Sequence, residues 1–164
     1  MITVITEMNH GPTMNQLQEI SLYTYDLKHC RIVIDVLTQK LAKYRQKHSQ
    51  DFKSIIRYLT LILYLLQNGS DYFVSWMKDN YHSLETDLNK LIDFNNHSHN
   101  KHDPIVKDNM IIHSKLKKII QLCTDDQSLK KFRLSIYRYR NDMNSPGIKR
   151  TSLDDIGYND IIIN

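Results

Sequence analysis

The stretch FKSIIRYLTLILYLLQNGS, residues 52–70, decides the fold of this chain. Between Ile55 and Leu66 only Arg57 and Thr60 are polar, so a helix here is apolar around almost its whole circumference. The apolar run is about 12 residues long, shorter than the roughly 20 that a membrane span requires, and Asn68-Gly69 indicates a helix stop. A leucine-rich run of this length favours helix over strand. The sequence therefore predicts a central core helix with other helices packed around it.

The size and composition of the chain fit a single all-α domain. Its 164 residues are enough for one domain with a real core, and 41% of them are hydrophobic. Only 4 glycines and 3 prolines are present, which favours long helices with few connections. The two cysteines, Cys30 and Cys123, lack metal-site spacing and follow no secretory signal, so we expect free, buried thiols in a reducing compartment.

Apolar residues recur at helical spacing on both sides of the central helix. Thr13, Asp26, Ser70 with Asp71, and Asp125 with Asp126 are the expected N-terminal caps or first-turn acids. The predicted helices, besides the central one, cover residues 1–10, 14–25, 27–46, 71–91, 105–123 and 127–141. The side chains predicted to face the core are Met14, Leu17, Ile20, Cys30, Val33, Ile34, Leu37, Leu41, Phe73, Trp76, Met77, Tyr81, Leu84, Leu88, Leu91, Val106, Met110, Ile112, Leu116, Ile119, Ile120 and Cys123.

Loss of the helical period marks the end of the domain. From Met143 the pattern disappears, and Pro146-Gly147 is a turn signal. We therefore predict a helical domain over residues 1–142 and a flexible tail over 143–164. The basic residues of the last helix are expected to form a solvated face: Lys130, Lys131, Arg133, Arg138 and Arg140.

Positive charge is concentrated in one part of the chain. The whole chain carries a formal charge of +4, whereas residues 28–57, here called the basic segment, carry +6 because their only acids are Asp35 and Asp51. Such a segment indicates an anionic partner, with a solvated basic face as the alternative.

No pattern of catalytic residues is found, and the chain is predicted not to be an enzyme. It has no glycine-rich phosphate loop, no nucleophile elbow and no helical His pair with a neighbouring Glu. His97, His99, His102 and Asp103 have metal-ligand chemistry but fall in a polar low-complexity loop, for which a solvated role is the default. We expect neither a metal nor a cofactor.

Several short motifs follow one another along the chain in a recognisable order. They are Gly11-Pro12, Glu19-Ile20, Thr24-Tyr25, Lys40-Leu41, Phe52, Tyr64-Leu65-Leu66, Gly69-Ser70, Ile92-Asp93-Phe94, the run from Asp125 to Lys131, and Arg133. This series, over about residues 3–141, resembles the ENTH domain of epsins and epsin-like Golgi and endosomal adaptors. It is most similar to the short fungal epsin-like proteins.

The resemblance implies a right-handed superhelical stack of about seven to eight helices that binds a phosphoinositide headgroup in clathrin-linked vesicle formation. The family's headgroup arginine falls on Lys40, its next basic residues fall on Lys53 and Arg57, and its histidine falls on Ser54. Cations converging on a phosphorylated ring give charge-assisted hydrogen bonds. Together with the neighbouring basic residues this gives a candidate lipid site: Lys40, Lys43, Arg45, Lys47, His48, Lys53 and Arg57.

One part of the family pattern has no counterpart. Members that insert into bilayers carry a segment before the first helix that folds on lipid, and the family's basic and Asn positions on the first helix fall near Ile2 and Glu7 here. Either the chain begins late, or this member binds lipid weakly and does not bend membranes.

Three functions remain open at this point. The first is a monomeric trafficking adaptor in the cytoplasm, peripheral to the endosome, Golgi or plasma membrane, with phosphoinositide membranes and clathrin adaptor or coat proteins as partners. The second is a protein-interaction module of the same fold that has lost specific lipid binding and recognises cargo or coat proteins, with the tail as a linear motif. Nucleic-acid binding through the basic segment is the third and is not expected, because the chain shows no reading helix or aromatic stacking platform.

Overall fold

The computed structural model describes the backbone of residues 11–46, 51–96 and 104–144, and the side chains of residues 11–42, 51–90 and 106–135. These parts of the chain are all-helical. The six helices are α1 (Met14–Tyr23), α2 (Leu27–Gln46), α3 (Phe52–Asn68), α4 (Asp71–Asn96), α5 (Pro104–Thr124) and α6 (Asp126–Asn144). The helix predicted over residues 1–10 lies outside the described residues.

The central core helix is confirmed as α3. It ends at Asn68, as the sequence predicts, and it begins after an Asp51 cap, which was not predicted. Its buried side chains cover most of the helix circumference: Phe52, Ile55, Tyr58, Leu59, Leu61, Ile62, Leu63, Leu65, Leu66 and Gln67. α3 packs against each of the other five described helices, most extensively against α5. A helix that is apolar all round is stable only in such surroundings.

The remaining helices form a stack around α3. Neighbours in sequence pack together, and so do helices two apart, with α1 on α3, α2 on α4 and α3 on α5. α1 begins with a capping box in which Thr13 and Gln16 bond each other's backbone N–H. The single core cluster draws on all six helices.

The turn after α3 is held by buried polar side chains. The Thr24 hydroxyl accepts a hydrogen bond from the Ser70 N–H at 2.9 Å and donates to the Ser21 carbonyl at 2.7 Å. The Ser21 hydroxyl in turn donates to the carbonyl of Asn68 at 2.8 Å. Gly69 is required there, because a Cβ would lie 2.5 Å from the Leu65 carbonyl oxygen. These contacts fix the end of α1 against the junction of α3 and α4.

Arg133 holds α6 to the same turn. Its guanidinium donates to the carbonyls of Leu66 at 3.1 Å and Gly69 at 2.9 Å, and it lies 3.4 Å from the Asp71 carboxylate. The prediction that Arg133 belongs to a solvated face is therefore wrong. Carbonyls at a helix C-terminus lack partners within the helix, and Arg133 supplies donors for them from a distant part of the chain.

Most of the predicted core side chains are buried, but two methionines are not. Met14 is 39% exposed and Met110 is 69% exposed. On α5 the core position next to Met110 is taken by Asn109, which is only 3% exposed. α4 also continues to Asn96, beyond the predicted end at Leu91.

Both cysteines are free and buried, as predicted. In the part of the chain that the structure describes, no helix has the length and hydropathy needed to cross a bilayer. α6 extends to Asn144, two residues into the segment predicted as a tail, and residues 145–164 lie outside the described residues.

Candidate functional site

The candidate lipid site lies where α2 ends and α3 begins. Lys40, Lys43 and Arg45 belong to the last two turns of α2, and Lys53 and Arg57 belong to the first two turns of α3. α2 and α3 pack against each other, and the chain from Gln46 to Phe52 can span at most about 20 Å. The fold therefore brings these five residues to one end of the stack. The other two members of the site, Lys47 and His48, lie outside the described residues.

Lys53 and Arg57 occupy one face of α3. They are four residues apart, so their side chains leave the helix as neighbours, with Cβ atoms about 5–6 Å apart. Lys53 is exposed and Arg57 is half-buried, in the strip of α3 that also carries the half-buried Thr60 and Tyr64. This strip is where the core helix reaches the surface, and its first two turns are basic.

Three cations of the candidate lipid site have described side chains, and none of them forms an ion pair with a described acid. Among the described residues, no ion pair or side-chain hydrogen bond engages Lys40, Lys53 or Arg57. Lys40 is half-buried, as Arg57 is. A cation without a carboxylate partner is available to form charge-assisted hydrogen bonds with an incoming phosphate.

An acid is nevertheless present beside these cations. Asp51 caps α3, and its carboxylate accepts hydrogen bonds from the Ser54 N–H at 3.1 Å and the Ser54 hydroxyl at 2.6 Å. Ser54 stands at the position where the ENTH resemblance places a histidine. Its polar group is therefore already bonded within the chain. The local signal for this contact is an Asp three residues before a Ser at the start of an apolar run, which is typical of an N-cap.

An open cavity of about 430 Å³ lies elsewhere, between α4 and α6. Its lining includes Lys78, Leu129, Arg133 and Leu134. Arg133, which lines this cavity, bonds the C-terminal end of α3, whereas the candidate lipid site lies at the N-terminal end of α3. The cavity and the candidate lipid site are therefore separated by the length of α3, about 25 Å.

Burial shifts the pKa of three side chains in the interior. Burial raises the pKa of the Cys30 thiol, raises that of Cys123 to about 11, and lowers the pKa of Lys115. Burial favours the neutral form of each group, and these shifts are typical of packed interiors. No group of three or more His, Cys, Asp or Glu residues could hold a metal ion in the ranges 11–46, 51–96 and 104–144. The histidine-rich segment, with His97, His99 and His102, is outside those ranges.

Comparison with known proteins identifies the family. The sequence model of the ENTH domain matches residues 2–129, which is most of the chain. The chain belongs to the ENTH domain family. The ENTH domain was predicted from the order of short motifs, and that prediction is confirmed.

Two further comparisons agree with this ENTH assignment. Epsin-1 of Schizosaccharomyces pombe (strain 972 / ATCC 24843) is 29% identical over 128 residues. The alignment covers 78% of this chain but only 16% of Epsin-1. A chain in the structure of the endocytic adaptor complex AENTH superimposes with a TM-score of 0.61 at 22% identity, covering 82% of this chain and 86% of that one. The structural likeness to that chain shows the ENTH fold.

Four residues of the ENTH motif series have structural roles here. Thr24, Gly69, Ser70 and Arg133 meet at the turn after α3. The sequence predicted a helix stop at Gly69 and a cap at Ser70, but not the contacts that join these residues to Thr24 and Arg133. Their contacts join residues 46 to 64 positions apart, which no local pattern can show.

Proposed function

We propose that this ENTH domain is part of a peripheral membrane-trafficking adaptor that binds phosphoinositide headgroups through the candidate lipid site. The support for the proposal is that Lys40, near the end of α2, and Lys53 and Arg57, in the first two turns of α3, have no acidic partner among the described residues. Phosphate groups on one inositol ring fit these cations, because each can accept hydrogen bonds from more than one cation.

The expected affinity is useful but depends on salt. Each lysine or arginine close to an anionic surface contributes about 1 kcal/mol, so Lys40, Lys53 and Arg57 contribute about 3 kcal/mol and their basic neighbours on α2 add to it. This electrostatic attraction weakens as salt rises, since screening acts over about 8 Å at physiological ionic strength. Selectivity for a phosphoinositide over other anionic lipids requires the half-buried Lys40 and Arg57 to contact the ring phosphates directly.

Vesicle co-sedimentation tests the proposal. The 164-residue chain is mixed with phosphatidylcholine vesicles that contain either a bisphosphorylated phosphoinositide or phosphatidylserine at equal total charge. We expect preferential binding to the phosphoinositide vesicles and its loss in the double variant Lys53→Glu/Arg57→Glu.

The matched control is Lys130→Glu/Lys131→Glu, which changes the net charge equally on an exposed part of α6. This control should bind as the wild type does. If both double variants lose vesicle binding equally, or if the chain binds both vesicle types equally, net charge alone explains the binding. Either result would contradict a headgroup site.

Linkage to clathrin or to adaptor and coat proteins is the second half of the proposal. The support is family membership and the likeness to Epsin-1, of which this chain matches 16%. The tail from Met143 contains Asp154-Asp155-Ile156 and Asp160-Ile161-Ile162, which have the acidic and apolar composition of coat-binding peptides. A pull-down with adaptor appendage domains should lose its signal when residues 145–164 are deleted. An unchanged signal would exclude the tail.

A second candidate function is recognition of a cargo or coat protein by the helical domain without specific lipid binding. The observation that favours it is the Asp51–Ser54 contact. Ser54 stands at the position where the resemblance places a histidine, and its hydroxyl is already bonded to the Asp51 carboxylate. Absence of phosphoinositide binding, together with direct binding of an adaptor or cargo domain that survives deletion of the tail, would favour this function over the first.

A further inference from the structure

We infer that the open cavity between α4 and α6, here called the α4–α6 groove, is a docking site for a segment of a partner protein in which acidic residues adjoin aliphatic ones. Its volume of about 430 Å³ falls within the range of about 300–1,000 Å³ that is typical of ligand pockets. Such a volume accommodates a few side chains rather than a folded domain. The inference goes beyond the proposed lipid site and does not depend on it.

One face of α6 forms most of the groove. Its lining residues recur at intervals of three or four positions, the spacing that places side chains on the same side of a helix: Asp126, Leu129, Lys130, Arg133 and Leu134. α4 contributes Lys78, which forms an ion pair with Asp126 and so joins the two sides of the groove. All of these side chains belong to the described part of the chain.

The groove carries an excess of positive charge. Its lining has three cations and one acid, and that acid, Asp126, is paired with Lys78. Arg133 lies 3.4 Å from the Asp71 carboxylate. Lys130 is exposed, and no ion pair or side-chain hydrogen bond within the described residues engages it. Lys130 is therefore available to bind an incoming carboxylate through a charge-assisted hydrogen bond.

The groove also offers apolar surface beside this cation. Leu134 is 46% exposed and follows Lys130 by four residues, so the two side chains leave α6 as neighbours, whereas Leu129 is only 6% exposed. An acidic residue next to an aliphatic one matches this pair, because its carboxylate can bind the Lys130 ammonium while the aliphatic side chain covers Leu134. A phosphoinositide headgroup has no apolar group for Leu134. The charge and the apolar surface together favour a protein segment as the ligand.

The α4–α6 groove and the candidate lipid site can be occupied at the same time. They are separated by the length of α3, about 25 Å, whereas screening acts over about 8 Å at physiological ionic strength. A domain held on a membrane by the candidate lipid site would therefore still present the groove to a partner protein.

Fluorescence anisotropy with the 164-residue chain tests the inference. The probe is a short fluorescein-labelled peptide in which two aspartates precede two isoleucines, with glycine and serine at its other positions. We expect saturable binding. Lys130→Glu should weaken it at least about fivefold, because an exposed ion pair contributes up to about that factor and the new carboxylate repels the probe. Leu134→Ser should weaken it about threefold to tenfold through loss of apolar burial.

The chain offers a matched control for each variant. Lys131→Glu makes the same charge change one position away, on an exposed side chain that does not line the groove. Leu22→Ser removes a leucine that is 72% exposed on α1. Both controls should bind the probe as the wild type does. Two control peptides, one with asparagines for the aspartates and one with serines for the isoleucines, should each bind more weakly than the probe. Circular dichroism establishes that each variant retains its helices.

Several outcomes would overturn the inference. They are absence of saturable binding by the wild type, equal loss in Lys130→Glu and Lys131→Glu, and equal binding of the probe and the serine peptide. Binding that appears only when residues 145–164 are deleted would assign the groove to the chain's own tail instead of a partner. Loss of phosphoinositide-vesicle binding in Lys130→Glu and Leu134→Ser, with peptide binding unchanged, would assign it to a membrane surface.

Discussion

Arg133 should be among the largest single-residue contributors to stability outside the apolar core, and Arg133→Met tests this. Its guanidinium makes two charge-assisted hydrogen bonds to the carbonyls of Leu66 and Gly69, each worth about 1.5–3 kcal/mol when well formed. The Arg133 side chain is 26% exposed, so water can partly replace these bonds in the variant. The ion pair with Asp71 adds less than about 1 kcal/mol, since Asp71 is 97% exposed.

We therefore expect Arg133→Met to lower the free energy of unfolding by about 2–3 kcal/mol and the melting temperature by about 4–12 °C. Arg133→Lys retains the charge but cannot reach two carbonyls in the same way, so it should cost about half as much. Urea denaturation followed by circular dichroism measures the free energy of unfolding of each variant, and a thermal melt gives the melting temperature. Lys131→Met is the control, because Lys131 is exposed on the same helix and its loss should cost under about 0.5 kcal/mol. A cost for Arg133→Met no larger than that of Lys131→Met would refute the reasoning.

Three further predictions concern the core. Gly69→Ala places a Cβ 2.5 Å from the Leu65 carbonyl oxygen and should destabilise the domain by about 1–3 kcal/mol in the same denaturation assay; a neutral effect would contradict the required close approach. Asn109→Leu should stabilise by about 1–2 kcal/mol, because neither polar atom of the buried Asn109 amide has a hydrogen-bond partner among the described residues, and a destabilised variant would indicate that the amide is satisfied by solvent. Because the pKa of Cys123 rises from 9.0 to about 11 on folding, its ionisation favours the unfolded chain, so stability should fall as pH rises from about 9 to about 11. Urea titrations in this pH range should show a shallower fall for Cys123→Ala than for the wild type, and equal slopes would contradict the shift.

The fold was largely predictable because its decisive signal is local and strong. α3 is apolar around most of its circumference, and Asn68-Gly69 marks its end. The end of α3 was therefore predicted correctly, whereas the Asp51 cap at its start was not. The caps of α1, α2 and α6 are also local patterns, and the side chains of Thr13, Asp26 and Asp125 accept the expected hydrogen bonds from backbone N–H groups.

The errors have a common physical origin in side chains whose environment is set by distant residues. Met110 is apolar and lies next to the core stripe of α5, but the stripe runs through Asn109, which no hydrophobic pattern would choose. Arg133 lies in a run of basic residues that is typical of a solvated face, yet its partners are 64 and 67 positions away. α4 continues through polar residues to Asn96, where helical period alone gives no end.

The candidate site was predictable in part. Charge concentration and the motif series selected Lys40, Lys53 and Arg57, and the fold places them at one end of the stack. Lys43 and Arg45 lie with Lys40 on the last two turns of α2. Binding of a phosphoinositide by any of these residues stays a prediction. The Asp51–Ser54 contact was not predicted, although its spacing is visible in the sequence.

The measurement that tests the central claim most directly is an NMR titration of the ¹⁵N-labelled chain with the soluble inositol phosphate headgroup. If the candidate lipid site binds phosphoinositides, saturable amide shift changes should concentrate around Lys40 on α2 and around Lys53 and Arg57 on α3. They should be absent in Lys53→Glu/Arg57→Glu. No saturable changes, or changes centred on α6 and its residues Lys130 and Lys131, would contradict the account.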